Sequence, residues 1–265
     1  MPRPVVVIKL GGSALTDKSR IYTPRASIIT RAAKQVATIA KGSSVVIVHG
    51  AGGYGHIPAK KFDLARGFRT EKQLAAVAET KLKLLEWETI LQEIFIEEGV
   101  RLVPFVASSF VTARNGRIVS ANITPFIGWL RLGMVPSVGG DIVPDSEMGF
   151  SIISGDQLAV HISQRLRARR LIFGIDVDGI FDSNPKTDRN ARLLTALTPR
   201  AAMRLAESMT VTEPDVTGGM AGKIREAVSA VKKGIPTYFV NLTRDERLVK
   251  AASGKPVLCT RILRA

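Results

Sequence analysis

The stretch Val45 to His56, VVIVHGAGGYGH, decides how the chain is read. Its four apolar residues, Val45 to Val48, are β-branched in character and read as a buried strand of a parallel sheet. A glycine-rich turn leaves that strand. Gly50, Gly52, Gly53 and Gly55 let the backbone adopt positive φ and pass close to a ligand, so that its N–H groups converge on an anion. His49 and His56 bracket the turn. The whole chain holds three histidines, and two of them here point to a site that handles negative charge or a proton.

GAGGYG matches the dinucleotide fingerprint G-x-G-x-x-G letter for letter, but the context fails. A Rossmann unit needs a helix and then a second strand ending in an acidic residue about 20 positions on. Residues 57 to 98 read as helical with no strand among them, which sets a dinucleotide oxidoreductase aside. A tight strand-to-helix turn without a ligand is the plain structural alternative, and four glycines with two histidines argue against it.

Working outward, 265 residues suffice for one large α/β domain or two lobes sharing a sheet. A hydrophobic content of 45% with 23% charged residues is that of a globular protein rather than a disordered one. The single cysteine, Cys259, forbids an intrachain disulfide and a cysteine-based zinc site, and in VLCTRIL it reads as a buried thiol. The apolar run before Lys9 is too short for a signal peptide, and no stretch approaches a membrane span, so a cytoplasmic protein with no membrane partner is expected. The net charge of +15 raises nucleic acid as a partner. Yet the basic residues are dispersed, except for Arg165, Arg167, Arg169 and Arg170 at a predicted helix end, where cations complement the helix dipole. No aromatic stacking series accompanies them, and no nucleic-acid partner is expected.

Val5 to Leu10, interrupted by Lys9, reads as the first strand and runs into Gly11, Gly12 and Ser13. Lys9 and Lys18 around one glycine turn favour a phosphate over two unrelated surface charges. Thr23 and Pro24 predict the start of a helix ending near Gly42. Thr70 and Gln73 predict a capping box for a long helix closing near Gly99. The apolar residues between Phe62 and Leu82 offer core packing or the wall of an apolar acceptor pocket. Leu102 to Val106 reads as a third strand, and Asn115-Gly116 as a hairpin turn between VTAR and RIVS. Thr124-Pro125 predicts a short helix, MVPSV a strand delivering Gly139, Gly140 and Asp141, and IVPDSEMGFSII two short strands.

Ser154 and Gln157 predict a capping box for the next helix, with Asp156 in its first turn, where simple helix-start chemistry explains a carboxylate. His161 reads as structural. LIFGIDVDGIFD is a buried strand followed by Asp176, Asp178 and Asp182, which could hold magnesium, touch a ribose or form turns. Thr198-Pro199 begins another helix. Asp215 to Lys223, DVTGGMAGK, departs from a Walker A loop at Thr217 and Ile224 but keeps a glycine turn and a lysine at a helix start, the ingredients of an anion site. PTYFV is a strand, Thr243 and Glu246 predict a helix start, and VLCTRIL is the last strand. Phosphoryl transfer needs positioning and positive charge more than covalent help, and this set of residues can supply both.

KLGGSALTDK, HGAGGYGH, SGDQLA, DVDGIFD and DVTGGMAGK, in this order along nearly the whole chain, resemble the amino acid kinase superfamily. His56, closing the second turn, narrows the resemblance to the isopentenyl phosphate kinases, with the fosfomycin kinases next. The resemblance implies an α/β/α sandwich with a largely parallel central sheet. It implies an N-terminal lobe, residues 1–169, for the acceptor and a C-terminal lobe, residues 170–265, for ATP and magnesium, joined by one continuous sheet.

Carried onto matching positions, Lys9 and Lys223 would bind the ATP phosphates and Asp156 would orient both lysines. Gly11, Gly12, Ser13, Gly52 and Gly219 would approach the nucleotide, with Asp176 beside it. Lys18 would support the transferred group. Ala51, Gly53, His56 and Gly155 would contact the acceptor phosphate. No residue is implied as a direct metal ligand. Where the family commonly has HGGGSFGH, this chain has Ala51, Gly53 and Tyr54 in place of glycine, serine and phenylalanine. The implied reaction is ATP-dependent phosphorylation of an isoprenoid monophosphate by a homodimer, and Tyr54 is expected to take part in the acceptor pocket. A fosfomycin-type kinase and a non-catalytic nucleotide sensor are the alternatives.

Overall fold

The computed structural model describes residues 3–17, 20, 22–209 and 218–263. β1 (Val5–Leu10) passes through Gly11 into one helical turn, α1 (Gly12–Leu15), and then α2 (Ala26–Ala40) returns the chain to β2 (Ser44–His49). α2 starts two residues beyond the expected Thr23-Pro24, because Pro24 is held in an antiparallel bridge with Thr16. α3 (Gly53–Lys61) and the long α4 (Lys72–Glu97) follow with no strand between them. Gln73 closes only half of the expected capping box: its Oε1 accepts from the N–H groups of Arg69 and Thr70, with no cap bond from the Thr70 side chain.

β3 (Leu102–Phe105) precedes a hairpin of β4 (Val111–Arg114) and β5 (Arg117–Ala121), turning through Asn115 and Gly116 at φ 48° and 71°. Positive φ at both central residues is the turn that matches strand twist. After α5 (Thr124–Arg131) come β6 (Val135–Gly139), β7 (Asp141–Asp145) and β8 (Gly149–Ile153), then α6 (Gly155–Arg165) and β9 (Arg170–Ile175). The remainder is β10 (Ala196–Leu197), α7 (Pro199–Ser208), α8 (Gly219–Lys232), β11 (Thr237–Asn241), α9 (Arg247–Ser253) and β12 (Thr260–Ile262). Thr198 caps α7 as expected, accepting from Ala201 N–H, whereas Thr243 bonds Asn241 instead of capping α9.

Among the described residues, the strands form one sheet in the order β10-β12-β11-β9-β1-β2-β6-β3 and a smaller one in the order β5-β4-β7-β8. The six strands from β11 to β3 are mutually parallel; β12 runs antiparallel to β11, and β10 follows β12. Helices cover both faces, and the strand period of two sorts the core. Val6, Ile8 and Leu10 of β1, with Val45 and Ile47 of β2, pack toward α2, α4 and α9. Val7, Val46, Val48 and Phe173 pack on the opposite face with α6, α7 and α8. This alternation aims the polar strand residues too: Lys9 falls on the α6 face and His49 on the α4 face.

Asp145 ties the smaller sheet together. Its carboxylate accepts from the backbone N–H groups of Asn115, Gly116, Glu147 and Met148, joining both hairpin turns. Burial raises its pKa, but the N–H groups of Gly116, Met148 and Glu147 outweigh that and hold it well below the usual carboxylate range.

Candidate active site

Four backbone turns meet at the carboxyl ends of β1 and β2, and only glycine fits where they cross. A Cβ on Gly12 would stand 2.6 Å from the Gly52 nitrogen, and one on Gly50 2.7 Å from the Gly12 nitrogen. One on Gly155 would stand 2.7 Å from the His49 carbonyl oxygen, and one on Gly140 3.0 Å from the Gly155 nitrogen. Gly52 takes φ 51° as the residue before α3. Thr16 pins this crossing: its hydroxyl donates to the Gly12 carbonyl and accepts from Gly53 N–H.

The turns border a cavity that opens to solvent. One part of its wall is cationic and built of backbone: Lys9, Gly12, Ser13, Gly50, Gly155, Asp156 and Lys223. Lys9 Nζ lies 2.7 Å from Asp156 Oδ1 and Lys223 Nζ 3.0 Å from Asp156 Oδ2, so one carboxylate aligns two lysines from different elements. Lys9 and Asp156 are 3% exposed, a depth at which an unpaired charge is prohibitive and a paired one is fixed in place. Burial raises the Asp156 pKa, yet the Lys223 and Lys9 ammonium groups overcome it and bring it to about 2. Ser154 holds the start of α6 by accepting from Gln157 N–H; the Gln157 side chain, expected to complete a capping box, instead spans to Ile118 N–H and the Gly116 carbonyl.

Another part of the wall is aliphatic: Ala59, Leu84, Ile142, Ile152 and Ile153, with Thr80, while His56, Asp141 and Ser154 add polar groups elsewhere on the lining. The aliphatic residues come from α3, α4, β7 and β8. Sequence reasoning left the apolar residues between Phe62 and Leu82 as core packing or as the wall of an acceptor pocket, and the residues it named do not form the wall. Phe68, Leu74 and Leu82 point into solvent, and Phe62 packs with Leu64 in a separate small cluster. Residues from the middle of α4 reach the cavity because that face of the helix, rather than its apolar count, turns inward. The signal that could have found the others was Gly139-Gly140-Asp141, noted in the sequence at a strand end.

Of the residues implied by resemblance, Lys9, Gly12, Ser13, Ala51, His56, Gly155, Asp156 and Lys223 line this one cavity. Gly11 lies against β9, its N–H bonded to the Gly174 carbonyl, and Gly52 is spent on the backbone crossing. The Gly53 N–H is turned to Thr16. Asp176 follows β9 and pairs with Lys186, and Gly219 opens α8 at φ 56°. Lys18 and residues 210–217, which include the first part of DVTGGMAGK, lie outside the described residues.

Tyr54 has a different place from the one expected. It is buried under the turn, stacks on Trp87 at 5.1 Å, and donates its hydroxyl to the Tyr22 carbonyl. His49 also differs from His56: its ring points away from the cavity to α4, where Nε2 lies 2.5 Å from Glu88 Oε2. Ser137 donates to the other Glu88 oxygen at 2.6 Å, and the Trp87 indole N–H donates to the Gly50 carbonyl. Burial pushes the Glu88 pKa up, but the His49 and Ser137 contacts bring it below the usual range. α4 thereby grips the glycine turn after β2 from behind. Lys81 fixes the same helix to β7 through Asp141, at 2.7 Å.

Two pinned lysines, glycine-only backbone turns and two helix starts opening on one cavity define a phosphate-handling enzyme of the small-molecule kinase class. The chain belongs to the amino acid kinase family, whose sequence profile matches residues 4–241. It is similar to an isopentenyl phosphate kinase of Methanothermobacter thermautotrophicus, 36% identical over 97% of this chain and 98% of that one. Another similar protein, from Thermoplasma acidophilum and also described as isopentenyl phosphate kinase, is 29% identical over 92% of this chain and 94% of its own length. A solved structure of isopentenyl phosphate kinase superposes with a TM-score of 0.84 at 34% identity, covering 97% of this chain and 99% of its own. No helix among the described residues is long and apolar enough to cross a membrane.

Proposed function

We propose that the chain transfers the γ-phosphoryl group of ATP to isopentenyl phosphate, giving isopentenyl diphosphate and ADP. The observation that carries this reading is the two-part wall of the cavity: cations and backbone amides for two sets of phosphates, and Leu84, Ile142 and Ile152 for a short branched hydrocarbon. The acceptor's own phosphate oxygen is the nucleophile. It needs no general base, only alignment with the γ-phosphorus and screening of the negative charges brought together. Lys9 and Lys223 screen the transferred group and its neighbours, and Asp156 keeps both ammonium groups from drifting. Gly11, Gly12, Ser13, Gly52 and Gly219 admit the nucleotide phosphates, with Asp176 beside the nucleotide and Lys18 supporting the moving group.

His56, with Ala51 and Gly155, holds the acceptor phosphate, and Gly53 serves there by its small size, since Thr16 takes its N–H. Residues 1–169 form the acceptor lobe and residues 170–265 the ATP lobe of one sheet. Among the described residues no cluster of three or more acidic, histidine or cysteine side chains gathers. Magnesium would be carried mainly by phosphate oxygens and water, neutralising nucleotide charge. A cytoplasmic homodimer is the form we expect to carry the activity.

The test is steady-state ADP formation from magnesium-ATP and isopentenyl phosphate. Lys9→Ala is expected to lower kcat by about 10³-fold. His56→Ala is expected to raise KM for isopentenyl phosphate with KM for ATP nearly unchanged. Wild-type kinetics in both variants would overturn the assignment of the site.

A further inference from the structure

At the opposite end of the strands, where β1, β2, β3 and β6 begin and α2, α4, α5 and α6 end, lies a second, open concavity. Six cations line it: Arg3, Lys41, Arg101, Arg131, Arg165 and Arg167. Glu98 is the one acidic side chain among the lining residues, and its carboxylate lies 3.9 Å from Lys34. Lys41, Arg101, Arg131, Arg165 and Arg167 form no ion pair among the described residues, although the chain holds 23 acidic residues.

Helix ends account for part of this charge. Lys41 caps α2, and Arg131 and Arg165 lie in the last turns of α5 and α6, where cations offset the carbonyl ends. Arg101 and Arg3 precede strands, and Arg167 sits in a left-handed turn at φ 49°. Arg167 lies directly beyond the end of α6, whereas helix dipoles do not call for Arg3 and Arg101. Between the cations the floor is aliphatic: Val5, Ile127, Leu130 and Met134 are half-buried, and Leu132 is 70% exposed.

The lining contains no aromatic residue, so it offers no platform for stacking the bases of a single strand. Guanidinium groups around a hydrocarbon floor match an anion that carries an apolar chain, with the forked donors on a diphosphate and the chain on the floor. We propose that this groove binds a free prenyl diphosphate longer than the reaction product, such as one built by condensing several product units. The choice of ligand rests on the proposed reaction; the groove lies at the other end of the strands and shares no lining residue with the active cavity.

The probe is farnesyl diphosphate, titrated calorimetrically into the full chain with the active cavity saturated by ADP and isopentenyl phosphate. One remaining site is expected, with inorganic diphosphate binding it at least tenfold more weakly. The double variant Arg101→Glu, Arg131→Glu is expected to lose that site at least tenfold while its ADP formation from isopentenyl phosphate stays at the wild-type rate. Absence of a second site, equal affinity for inorganic diphosphate, or indifference to the double variant would each overturn the proposal. Charge-dependent binding to anionic phospholipid vesicles without binding of free farnesyl diphosphate would overturn it in favour of a membrane surface. Turnover with isopentenyl phosphate but no groove binding removes only the groove; groove binding without turnover removes only the proposed reaction.

Discussion

The cationic and aliphatic parts of the active cavity are built by different means. The first is made of short contiguous motifs in which spacing dictates geometry: a strand lysine followed by two glycines, a histidine-bracketed glycine turn, and Ser-Gly-Asp-Gln at a helix start. Its contacts are close and charged, with Lys9 and Lys223 both within 3.0 Å of Asp156. The second is made of single side chains from α3, α4, β7 and β8 that meet only after the fold forms. Disturbance of the first should therefore act on turnover and fold together, whereas disturbance of the second should act on acceptor selection alone.

Asp156→Asn should show the largest effect. It leaves Lys9 and Lys223 without their shared counter-charge, and we expect kcat to fall by about 10³-fold and stability by about 3 kcal/mol at pH 7. The sign of the pH dependence follows from the depressed pKa. The carboxylate's contribution is complete above the ordinary pKa near 4 and is lost as pH falls through about 2. Urea unfolding at pH 7 and at pH 2.5 should thus show the gap between wild type and variant closing toward the acid side. A gap independent of pH would separate Asp156 from the lysines energetically.

Glu88→Ala comes next, since it removes the grip of α4 on the glycine turn after β2 from outside the cavity. KM for the acceptor should rise about tenfold or more, with KM for ATP changing less and Glu88→Gln recovering most of the loss. Equal losses in Ala and Gln would mean that charge, not hydrogen bonding, fixes His49. The smallest effect is expected from Leu84→Ala. Loss of a few buried carbon contacts is worth about 1–2 kcal/mol, so KM for isopentenyl phosphate should rise up to about tenfold at unchanged kcat.

The same contrast explains what could be read from the sequence. β1 and β2 were legible almost to the residue because their alternation and the glycines after them are local. Lys9, Gly12, His56, Asp156 and Lys223 were legible as a set through motif order, although Asp156 alone read as helix-start chemistry. The aliphatic wall was not legible. Whether Leu82 or Leu84 faces inward depends on how α4 is rolled, and that is set by Glu88, Trp87 and Lys81 bonding to residues of other elements 37 to 60 positions away in sequence. Tyr54 misled for a related reason: in the first turn of α3 it lies two residues before His56, about 200° away round the helix, so with His56 on the cavity Tyr54 turns inward onto Trp87 and its hydroxyl meets the Tyr22 carbonyl.

The measurement that bears most directly on the central claim is kcat/KM for a panel of acceptors with magnesium-ATP: isopentenyl phosphate, dimethylallyl phosphate, fosfomycin, acetylglutamate and UMP. The account predicts that turnover is confined to the two isoprenoid monophosphates and that Leu84→Ala lowers kcat/KM for them. Turnover of fosfomycin alone, or of no acceptor at all, would contradict it.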